Sequence, residues 1–497
     1  MSEHIQLACN PVVAQLRGAS DQVRLQVNDL LSYFVEGYEH MDAYQEKRWD
    51  GKSTFFEWNR NLFPSGFVPS VVQLLIQQGH KVQILKQRLP ECLGERPTPE
   101  NPIVDSFAAD DRYDYQFKAP ALLEKHGTMI ARVATGGGKS RIARLCIQRI
   151  GRKTLFITTR TELLYQFADA CVESGMRVSM CGDSEWDTSG DVVCAMVQTL
   201  AARITAEDPR ADELLSSIEF VIGEEAHEAG SNSYYEILKR CRKAHYRLAL
   251  TGTPMMRDSE SNMRLLGSFG PVRLEVTERM LIDRGVLATP KFKFVTTKAP
   301  STLRPSSSWQ KAVDLGIVHN HERNRAIAFE AIRASRYGLP AVILVSRRAH
   351  GDLLKKMLKD AGIRTEFIFG QTAKAKRREA LQKLASGQIQ VLIGSTIIDV
   401  GVDVPALSMV ILAGGGKAEV AHRQRIGRTL REKRSGPNIG FVVDFNDTFN
   451  RHLKAHALTR RAIVDATDGF YQNVMPDGVD FDFEALGFPR LEMREAA

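Results

Sequence analysis

The glycine-rich loop at positions 133–140, VATGGGKS, is the first part of the sequence whose residue types suggest a chemistry. It follows an apolar run at 129–133 and precedes a helical pattern at 141–149. In such a context glycines let backbone N–H groups point at a phosphate, while Lys139 would neutralise its charge and Ser140 would bind Mg²⁺. The sequence therefore predicts a loop that binds a nucleoside triphosphate. A flexible glycine turn is the alternative, because Val133 stands where the pattern usually begins with glycine.

Adjacent carboxylates at Glu224 and Glu225 close a second apolar run, 85 positions after Lys139. Hydrolysis of a nucleoside triphosphate needs one acid to hold Mg²⁺ and one base to orient the attacking water. Ligands of open α/β sheets bind at the carboxyl ends of the strands. We therefore predict that Glu224 is a metal ligand and Glu225 the catalytic base. Alone, the pair would fit a solvated acidic turn equally well, but the upstream loop favours catalysis.

The elements that must position these residues form two similar series. Short apolar runs alternate with helical patterns, which is typical of parallel sheets covered by helices on both faces. The segment 289–308, rich in Pro, Ser and Thr, is predicted to connect the two series. The first series has runs at 129–133, 154–158, 192–197, 220–222 and 247–250, and the second at 341–345, 366–369, 391–393, 409–412 and 439–443.

Composition sets limits on the remaining possibilities. The chain has 497 residues with 43% hydrophobic and 25% charged residues, which excludes a mostly disordered protein. A net charge of +8 permits a polyanionic partner without requiring one. The seven cysteines include no C-x-x-C pair, so a zinc site is not expected. Without a secretory signal or an apolar run of about 18 residues, a cytoplasmic protein without membrane contact is expected.

Further motifs follow in a fixed order between positions 115 and 444. They are Tyr115-Gln116 with Ala119, LFITTRTELL at 155–164, VQTL at 197–200, LTGTP at 250–254, VSRR at 345–348 with His350, GST at 394–396 with Asp399, Gly401 and Asp403, and QRIGRTLR at 424–431. Together with the loop and the acidic pair, they resemble the superfamily 2 helicases and translocases. These are DEAD/DEAH-like motors with two RecA-type domains, so the resemblance implies ATP as substrate and Mg²⁺ as cofactor.

The resemblance implies a role for each matching residue. Gln116 would read adenine, and Arg428 and Arg431 would reach the γ-phosphate as arginine fingers, with Gln424 beside them. The implied nucleotide-binding set is Thr135, Gly136, Gly137, Gly138, Lys139, Ser140, Gly401 and Asp403. The implied nucleic-acid contacts are Thr159, Arg160, Gln198, Thr199, Ser346, Arg347, Ser395 and Thr396. Coupling between hydrolysis and movement is implied for His227, Thr251 and Thr253.

One position departs from the superfamily pattern, because Glu224 stands where Asp is usual. The charge is kept on a side chain one methylene longer, and Mg²⁺ demands near-ideal octahedral geometry. We therefore expect activity with an altered metal preference.

The N-terminal module narrows the resemblance to the UvsW-like bacteriophage recombination helicases. The matching segments are RWDG at 48–51 and NLFPSGFV at 61–68. The resemblance implies a small α/β domain that contacts duplex DNA. Basic residues interleaved with aromatic ones suit phosphate contact and stacking, although Trp49, Phe56 and Trp58 would equally suit the core of a small domain.

The expected architecture is two tandem RecA-like domains plus the N-terminal α/β domain. Its expected parts are an accessory DNA-binding domain at 1–92, a linker at 93–110, RecA-like domains at 111–290 and 291–452, and an extension at 453–497. Within that extension, Arg460-Arg461 is read as part of a solvated helix.

The resemblance implies a monomeric ATP-dependent DNA helicase or translocase, in the host cytoplasm if phage-encoded. Its implied substrates are branched DNA such as forks, Holliday junctions and displacement loops, in recombination, repair or replication. Three alternatives stay open: an RNA helicase, a duplex translocase of a defence system, and a nucleotide-gated scaffold in which Glu224 has stopped hydrolysis.

Overall fold

The computed structural model describes residues 2–101, 110–226, 231–253, 258–370, 372–394, 407–416, 426–427, 430–433 and 436–491. The chain divides into two compact units, Met1–Ala134 with Gly138–Val276, and Thr135–Gly137 with Thr277–Ala497. Within the described ranges, no helix is both long and apolar enough to span a bilayer.

A four-stranded sheet forms the N-terminal part of the first unit. Its order is β5-β2-β1-β6, with β1 antiparallel to β2 and parallel to β6. Alternate residues such as Ile5 and Leu7 are buried because one face of the sheet packs against helices. The elements of this part are β1 His4–Cys9, β2 Val13–Arg17, α1 Asp21–Leu30, β3 Ser32–Phe34, α2 Asp42–Gln45, β4 Lys52–Thr54, β5 Leu62–Pro64, α3 Val68–Gln77 and β6 Lys81–Lys86.

The aromatic residues of this module divide between core and surface. Phe56 is 3% exposed and belongs to the core, whereas Trp58 is 37% exposed. The guanidinium of Arg24 lies 4.1 Å from the centroid of the Trp58 ring. The alternative that these aromatic residues form the core of a small domain is therefore confirmed for Phe56 and wrong for Trp58.

An eight-stranded sheet forms the rest of the first unit. Its order is β10-β9-β11-β8-β12-β13-β7-β14, and all its pairs are parallel except β9 with β10. The central strands β8, β11 and β13 are buried along their whole length because helices cover both faces. The strands are β7 Thr128–Val133, β8 Thr154–Thr158, β9 Val178–Gly182, β10 Glu185–Trp186, β11 Val192–Met196, β12 Phe220–Glu224, β13 Tyr246–Thr251 and β14 Val272–Val276. The helices are α4 Tyr115–His126, α5 Lys139–Ile150, α6 Thr161–Glu173, α7 Val197–Thr205, α8 Pro209–Ser217, α9 Asn232–Arg240 and α10 Ser259–Phe269.

A six-stranded parallel sheet, in the order β15-β20-β19-β16-β18-β17, forms the second unit. Its strands are β15 Thr289–Val295, β16 Ala341–Leu344, β17 Thr365–Ile368, β18 Val391–Gly394, β19 Met409–Ile411 and β20 Ile439–Phe445. Its helices are α11 Glu278–Asp283, α12 Trp309–Val313, α13 His321–Arg336, α14 Arg348–Asp360, α15 Lys374–Ala385 and α16 Arg451–Asp465. The predicted α/β fold class is thus confirmed.

Two expectations for the second unit are wrong. The first part of the predicted connector 289–308 is strand β15, which tolerates Pro290 because it lies at the edge of the sheet. Arg460 is not solvated, since it is 4% exposed and pairs with Asp444 at 2.9 Å.

The C-terminal segment contributes to the core of this unit. Phe481 and Phe483 are each 1% exposed, and their ring centroids lie 4.9 and 5.0 Å from that of Phe441 in β20. The bounds of the five expected parts given above stay predictions.

Candidate nucleotide site and nucleic-acid interface

The glycine-rich loop connects the buried strand β7 to helix α5, as a phosphate-binding loop requires. Gly136 and Gly138 have φ values of 91° and 80°, a region that side chains with a Cβ rarely occupy. Gly138 caps the helix, so that Lys139 and Ser140 begin its first turn. The N–H groups of that turn carry a partial positive charge, which favours an anion at this place.

Gln116, predicted to read adenine, lies directly against this loop. It is 1% exposed on α4, and its side-chain oxygen accepts a hydrogen bond from Arg141 Nη1. A Cβ added to Gly138 would collide with the Gln116 amide nitrogen. The geometry links Gln116 to the loop, whereas adenine recognition stays a prediction.

The two predicted acids end strand β12 and meet Lys139. Its Nζ lies 3.2 Å from Glu225 Oε1 and 3.9 Å from Glu224 Oε1. Glu225 has a φ of 46°, which is unusual for a residue other than glycine and holds its carboxylate close to the lysine. The loop lysine and both acids therefore form one cluster at the carboxyl end of the sheet.

Burial governs the electrostatics of this cluster. Removal from water raises the pKa of Glu224, while the positive charge of Lys139 lowers it and the neighbouring Glu225 raises it further. A carboxylate in such surroundings gains from any additional cation that approaches it. Its oxygens and the Ser140 hydroxyl are hard donors of the kind that Mg²⁺ prefers.

The predicted coupling residues Thr251 and Thr253 lie at the end of β13, the strand between β12 and β7. Thr251 ends β13 fully buried, and its Oγ1 accepts a hydrogen bond from the Thr253 N–H at 3.1 Å. The strand order therefore places this turn between the glycine-rich loop and the acids. His227 lies outside the described residues.

The predicted nucleic-acid contacts of the first unit lie at one edge of its sheet. Thr159 and Arg160 follow β8, whereas Gln198 and Thr199 lie on α7, directly after β11. Because β8 and β11 are parallel neighbours, their carboxyl ends meet. Gln198 Nε2 donates a hydrogen bond to the Thr159 carbonyl at 3.2 Å. The two motifs thus form a continuous polar surface.

In the second unit, Ser346 and Arg347 are exposed directly after β16. Ser346 Oγ donates a hydrogen bond to the Gly414 carbonyl at 3.0 Å. Arg431 pairs with Leu287 through an isolated β-bridge, and burial lowers the pKa of its guanidinium. The other predicted residues of this unit lie outside the described part of the chain: Ser395, Thr396, Gly401, Asp403, Gln424 and Arg428.

Sequence reasoning missed the partners that position the motif residues. Arg141 on α5 is 6% exposed and holds the Gln116 side chain by a hydrogen bond. Its position directly after Ser140 was the signal in the sequence that could have indicated a role in this site. Asn324 binds the fully buried His350, whose Nε2 lies 2.8 Å from Asn324 Oδ1. Nothing in the local pattern around position 350 indicates that contact.

Family models match three segments of the chain. They are described as DNA helicase UvsW, N-terminal, at residues 13–85, Type III restriction enzyme, res subunit, at 103–256, and Helicase conserved C-terminal domain at 322–433.

Similar proteins and structures agree with these matches. The chain is 24% identical over 447 residues to the ATP-dependent DNA helicase uvsW of Enterobacteria phage T4, covering 85% of this chain and 86% of that protein. It is 23% identical to a putative helicase 22 of Sulfolobus islandicus filamentous virus, covering 64% of this chain and 60% of that relative. A fragment of a putative HsdR subunit of a type I restriction enzyme from Vibrio vulnificus YJ016 shares the fold, with a TM-score of 0.53, 17% identity, and coverage of 72% of this chain and 66% of that one.

These likenesses confirm the expected architecture of tandem RecA-like domains. By its three matched segments the chain belongs to the superfamily 2 DNA helicases, ATP-driven enzymes, and within them it resembles the UvsW-like bacteriophage helicases.

Proposed function

We propose that this helicase is a Mg²⁺-dependent motor that remodels branched DNA, such as forks, Holliday junctions and displacement loops, in recombination, repair or replication. The observation that supports the hydrolytic part is the approach of Lys139 Nζ to the buried Glu225, at 3.2 Å from Oε1, beside the partly buried Glu224. The UvsW-type N-terminal segment and the similarity to an ATP-dependent DNA helicase of a phage support the DNA substrate. Branched DNA is the substrate that the resemblance to the UvsW-like recombination helicases implies.

Each residue of the cluster has a distinct task in this proposal. Lys139 neutralises the β- and γ-phosphates of ATP, and Glu225 accepts a hydrogen bond from the attacking water and orients it. The left-handed backbone of Glu225 keeps the carboxylate in place before the substrate arrives. Arg428 and Arg431 stabilise the charge that develops on the γ-phosphate, with Gln424 beside them.

The donors present fit a magnesium ion that arrives with the nucleotide. Among the described residues, no group of three His, Cys, Asp or Glu side chains forms a metal cage. Mg²⁺ is usually held by one or two carboxylates together with substrate phosphates and water. Glu224 and Ser140 would hold it here, and the ion would neutralise charge on the phosphate oxygens.

The proposed DNA contacts explain why affinity is expected to depend little on sequence. Thr159, Arg160, Gln198 and Thr199 offer hydroxyl, amide and guanidinium donors, which suit phosphate oxygens. Ser346 and Arg347 offer the same chemistry in the second unit. The buried turn at Thr251 and Thr253, which the strand order places between the glycine-rich loop and the acids, is the proposed element that couples the ATP cluster to these surfaces.

The test is ATP hydrolysis by the wild-type protein and the Glu225→Gln variant. Each is assayed with no nucleic acid, single-stranded DNA, linear duplex, a four-way junction and RNA, with and without Mg²⁺. We expect stimulation by DNA, strongest with the junction, and a loss of about 100-fold or more in kcat for Glu225→Gln. Glu213→Gln, the same change at an exposed position on α8, is the matched control and keeps full activity.

The outcomes separate the alternatives. Stimulation by RNA alone would replace the substrate but keep the motor. ATP binding without hydrolysis would favour the scaffold. Equal stimulation by linear duplex and junction, without strand separation, would favour a duplex translocase. A Glu224→Asp variant with an unchanged ratio of Mg²⁺- to Mn²⁺-supported rates would refute the proposed role of Glu224 in metal preference.

A further inference from the structure

A cavity of about 220 Å³ lies in the first unit, between the N-terminal sheet and the eight-stranded sheet. Its wall includes the last residue of β1, Cys9, the last residue of β6, Lys86, and the first residue of β7, Thr128. The glycine-rich loop follows the other end of β7, roughly 17 Å away at the usual rise of a strand. This cavity is therefore separate from the ATP cluster.

The wall of the cavity is basic. Lys86, Lys125, His126, His245 and Arg273 line it, and none of its described lining residues is Asp or Glu. Two neighbouring carboxylates are already engaged: Glu124, beside Lys125 in sequence, pairs with Arg149 and Arg96, and Glu219, which acts on His245, pairs with Arg152. Positive charges thus converge without compensation from the wall.

The basic groups are close enough to act on one another. Burial lowers the pKa of Lys86, Cys9 raises it, and the charge of Arg273 lowers it again. Burial together with Arg273, Lys125 and Lys86 lowers the pKa of His126. Lys86 also lowers the pKa of His245, after the larger effect of burial. Water screens part of this repulsion, because Lys86 and Lys125 are exposed, and a bound anion would relieve the remainder.

Helix α4 explains only part of this arrangement. Lys125 and His126 end that helix, where positive side chains are favoured by the partial negative charge of the helix terminus. Lys86 and Arg273 belong to strands β6 and β14, so a position on the helix does not explain why they line the same cavity. Arg273 donates one hydrogen bond to the Thr128 carbonyl at 3.3 Å, and Lys86 has no acidic partner among the described residues.

We propose that this cavity is a second phosphate-binding site, and that a backbone phosphate of DNA occupies it. The volume exceeds the ~30 Å³ that one water occupies several times over, so a phosphate group fits. The cationic side chains supply N–H donors that match phosphate oxygens. The DNA source rests on the proposed function, whereas the phosphate chemistry does not. Bound there, a DNA strand would bridge the N-terminal sheet and the eight-stranded sheet.

The first experiment tests phosphate binding without DNA or turnover. Thermal unfolding is measured in sodium phosphate and in sodium chloride of equal ionic strength, in a Lys139→Ala background that removes the phosphate site of the glycine-rich loop. We expect phosphate to raise the melting temperature by about 2 °C. Adding the double substitution Lys86→Gln and Arg273→Gln, called the cavity pair, should abolish that rise. Lys81→Gln with Arg242→Gln, exposed positions outside the cavity, is the matched control and should preserve it.

The second experiment identifies the source of the phosphate. Binding of a short DNA duplex to full-length protein is measured over a range of salt concentrations. Each lost phosphate contact lowers the slope of log K against log salt by about 0.9, so the cavity pair should lower it by about one. The control pair should leave the slope unchanged.

Each outcome decides the proposal. If the double substitution Lys86→Gln and Arg273→Gln abolishes the rise in melting temperature and also lowers the slope by about one, a DNA phosphate is supported. Loss of the phosphate effect with an unchanged slope keeps the site but assigns it to a free phosphate compound. Absence of any phosphate-specific stabilisation in the parent protein, or its persistence in the cavity pair, overturns the site. A failed hydrolysis assay leaves these results untouched, so the failure of either proposal can be recognised separately.

Discussion

Protonation of His350 provides a sharp test of how the second unit is held together. The ring is fully buried, and its Nε2 lies 2.8 Å from Asn324 Oδ1. The Asn324 amide nitrogen donates to the Val318 carbonyl at 2.8 Å, which fixes Oδ1 as the acceptor. His350 Nε2 must therefore carry the hydrogen, while the buried Nδ1 has no hydrogen-bond partner in the described structure. A second proton would have no acceptor.

The size of the effect follows from the pKa. Burial, followed by the charges of Arg323 and His319, lowers the pKa of His350 from 6.5 to about 3. Below pH 6.5 the His350 ring is protonated in the unfolded state but stays neutral in the folded state. The contribution to stability is therefore complete above this pH and is lost as the pH falls toward the folded pKa. At about 1.4 kcal/mol per pH unit, the free energy of unfolding should fall by about 2 kcal/mol at pH 5.

The assay compares wild type with His350→Gln, whose amide retains a donor for Asn324 but does not titrate. Urea unfolding at pH 7.5 and pH 5 is followed by ¹⁹F NMR of protein labelled with 5-fluorotryptophan, through the resonance of Trp309 in the second unit. The wild type should lose about 2 kcal/mol more than the variant between these pH values. His321→Gln, at an exposed position, should behave like wild type. Equal losses in wild type and His350→Gln would refute a neutral buried ring.

Two further substitutions test packing. Gly138→Ala should weaken ATP-analogue binding at least about tenfold in calorimetry, because it adds a clash with Gln116 to a backbone strain of about 1–2 kcal/mol. Gly175→Ala is the control: its φ of 76° is similar but the space around it is open, so it should add backbone strain without a clash. An equal loss of ATP-analogue affinity in the two variants would contradict the role of the clash. Phe481→Ala should lower the free energy of unfolding of the second unit by about 3–5 kcal/mol in urea, since that side chain is 1% exposed. Val479→Ala, at 42% exposure, should cost about 0.5 kcal/mol or less, and similar losses for both would place Phe481 outside the core.

The parts that sequence reasoning predicted are those encoded locally. The glycines and Lys139 lie within one loop, and the apolar runs at 129–133, 154–158 and 247–250 closely match the strands β7, β8 and β13. Since parallel strands share one carboxyl edge, adjacency of the loop and the acids followed without knowledge of the strand order. Strand β9 was missed because Ser179, Cys181 and Gly182 interrupt its apolar pattern.

The parts that could not be predicted depend on contacts between distant positions. Arg460 reads as a surface residue because its neighbours in sequence, Thr459 and Arg461, are polar. Asp444 and the carbonyls of Gly416 and Phe445, brought alongside by the fold, account for its burial. The basic cavity has the same origin, since Lys86, Lys125 and Arg273 lie far apart in the chain. The residue types around Glu225 give no indication of its positive φ.

Three such distant contacts hold the turn 413–416, which follows β19 at the carboxyl edge of the second sheet. Arg323 Nη1 donates to the Ala413 carbonyl at 2.8 Å, Ser346 Oγ to that of Gly414 at 3.0 Å, and Arg460 Nη1 to that of Gly416 at 3.0 Å.

Both arginines are themselves fixed by buried carboxylates, Arg323 by Asp447 at 3.0 Å and Arg460 by Asp444 at 2.9 Å. Removing one partner of such a pair costs about 3–5 kcal/mol, because a charge is left uncompensated in the interior. A pair with so large a penalty restricts the positions available to the backbone it binds. Because this turn is held from α13, from the loop after β16 and from α16 at once, we infer that the arginines serve mainly to fix the carboxyl edge of the sheet, where α/β proteins place their ligands.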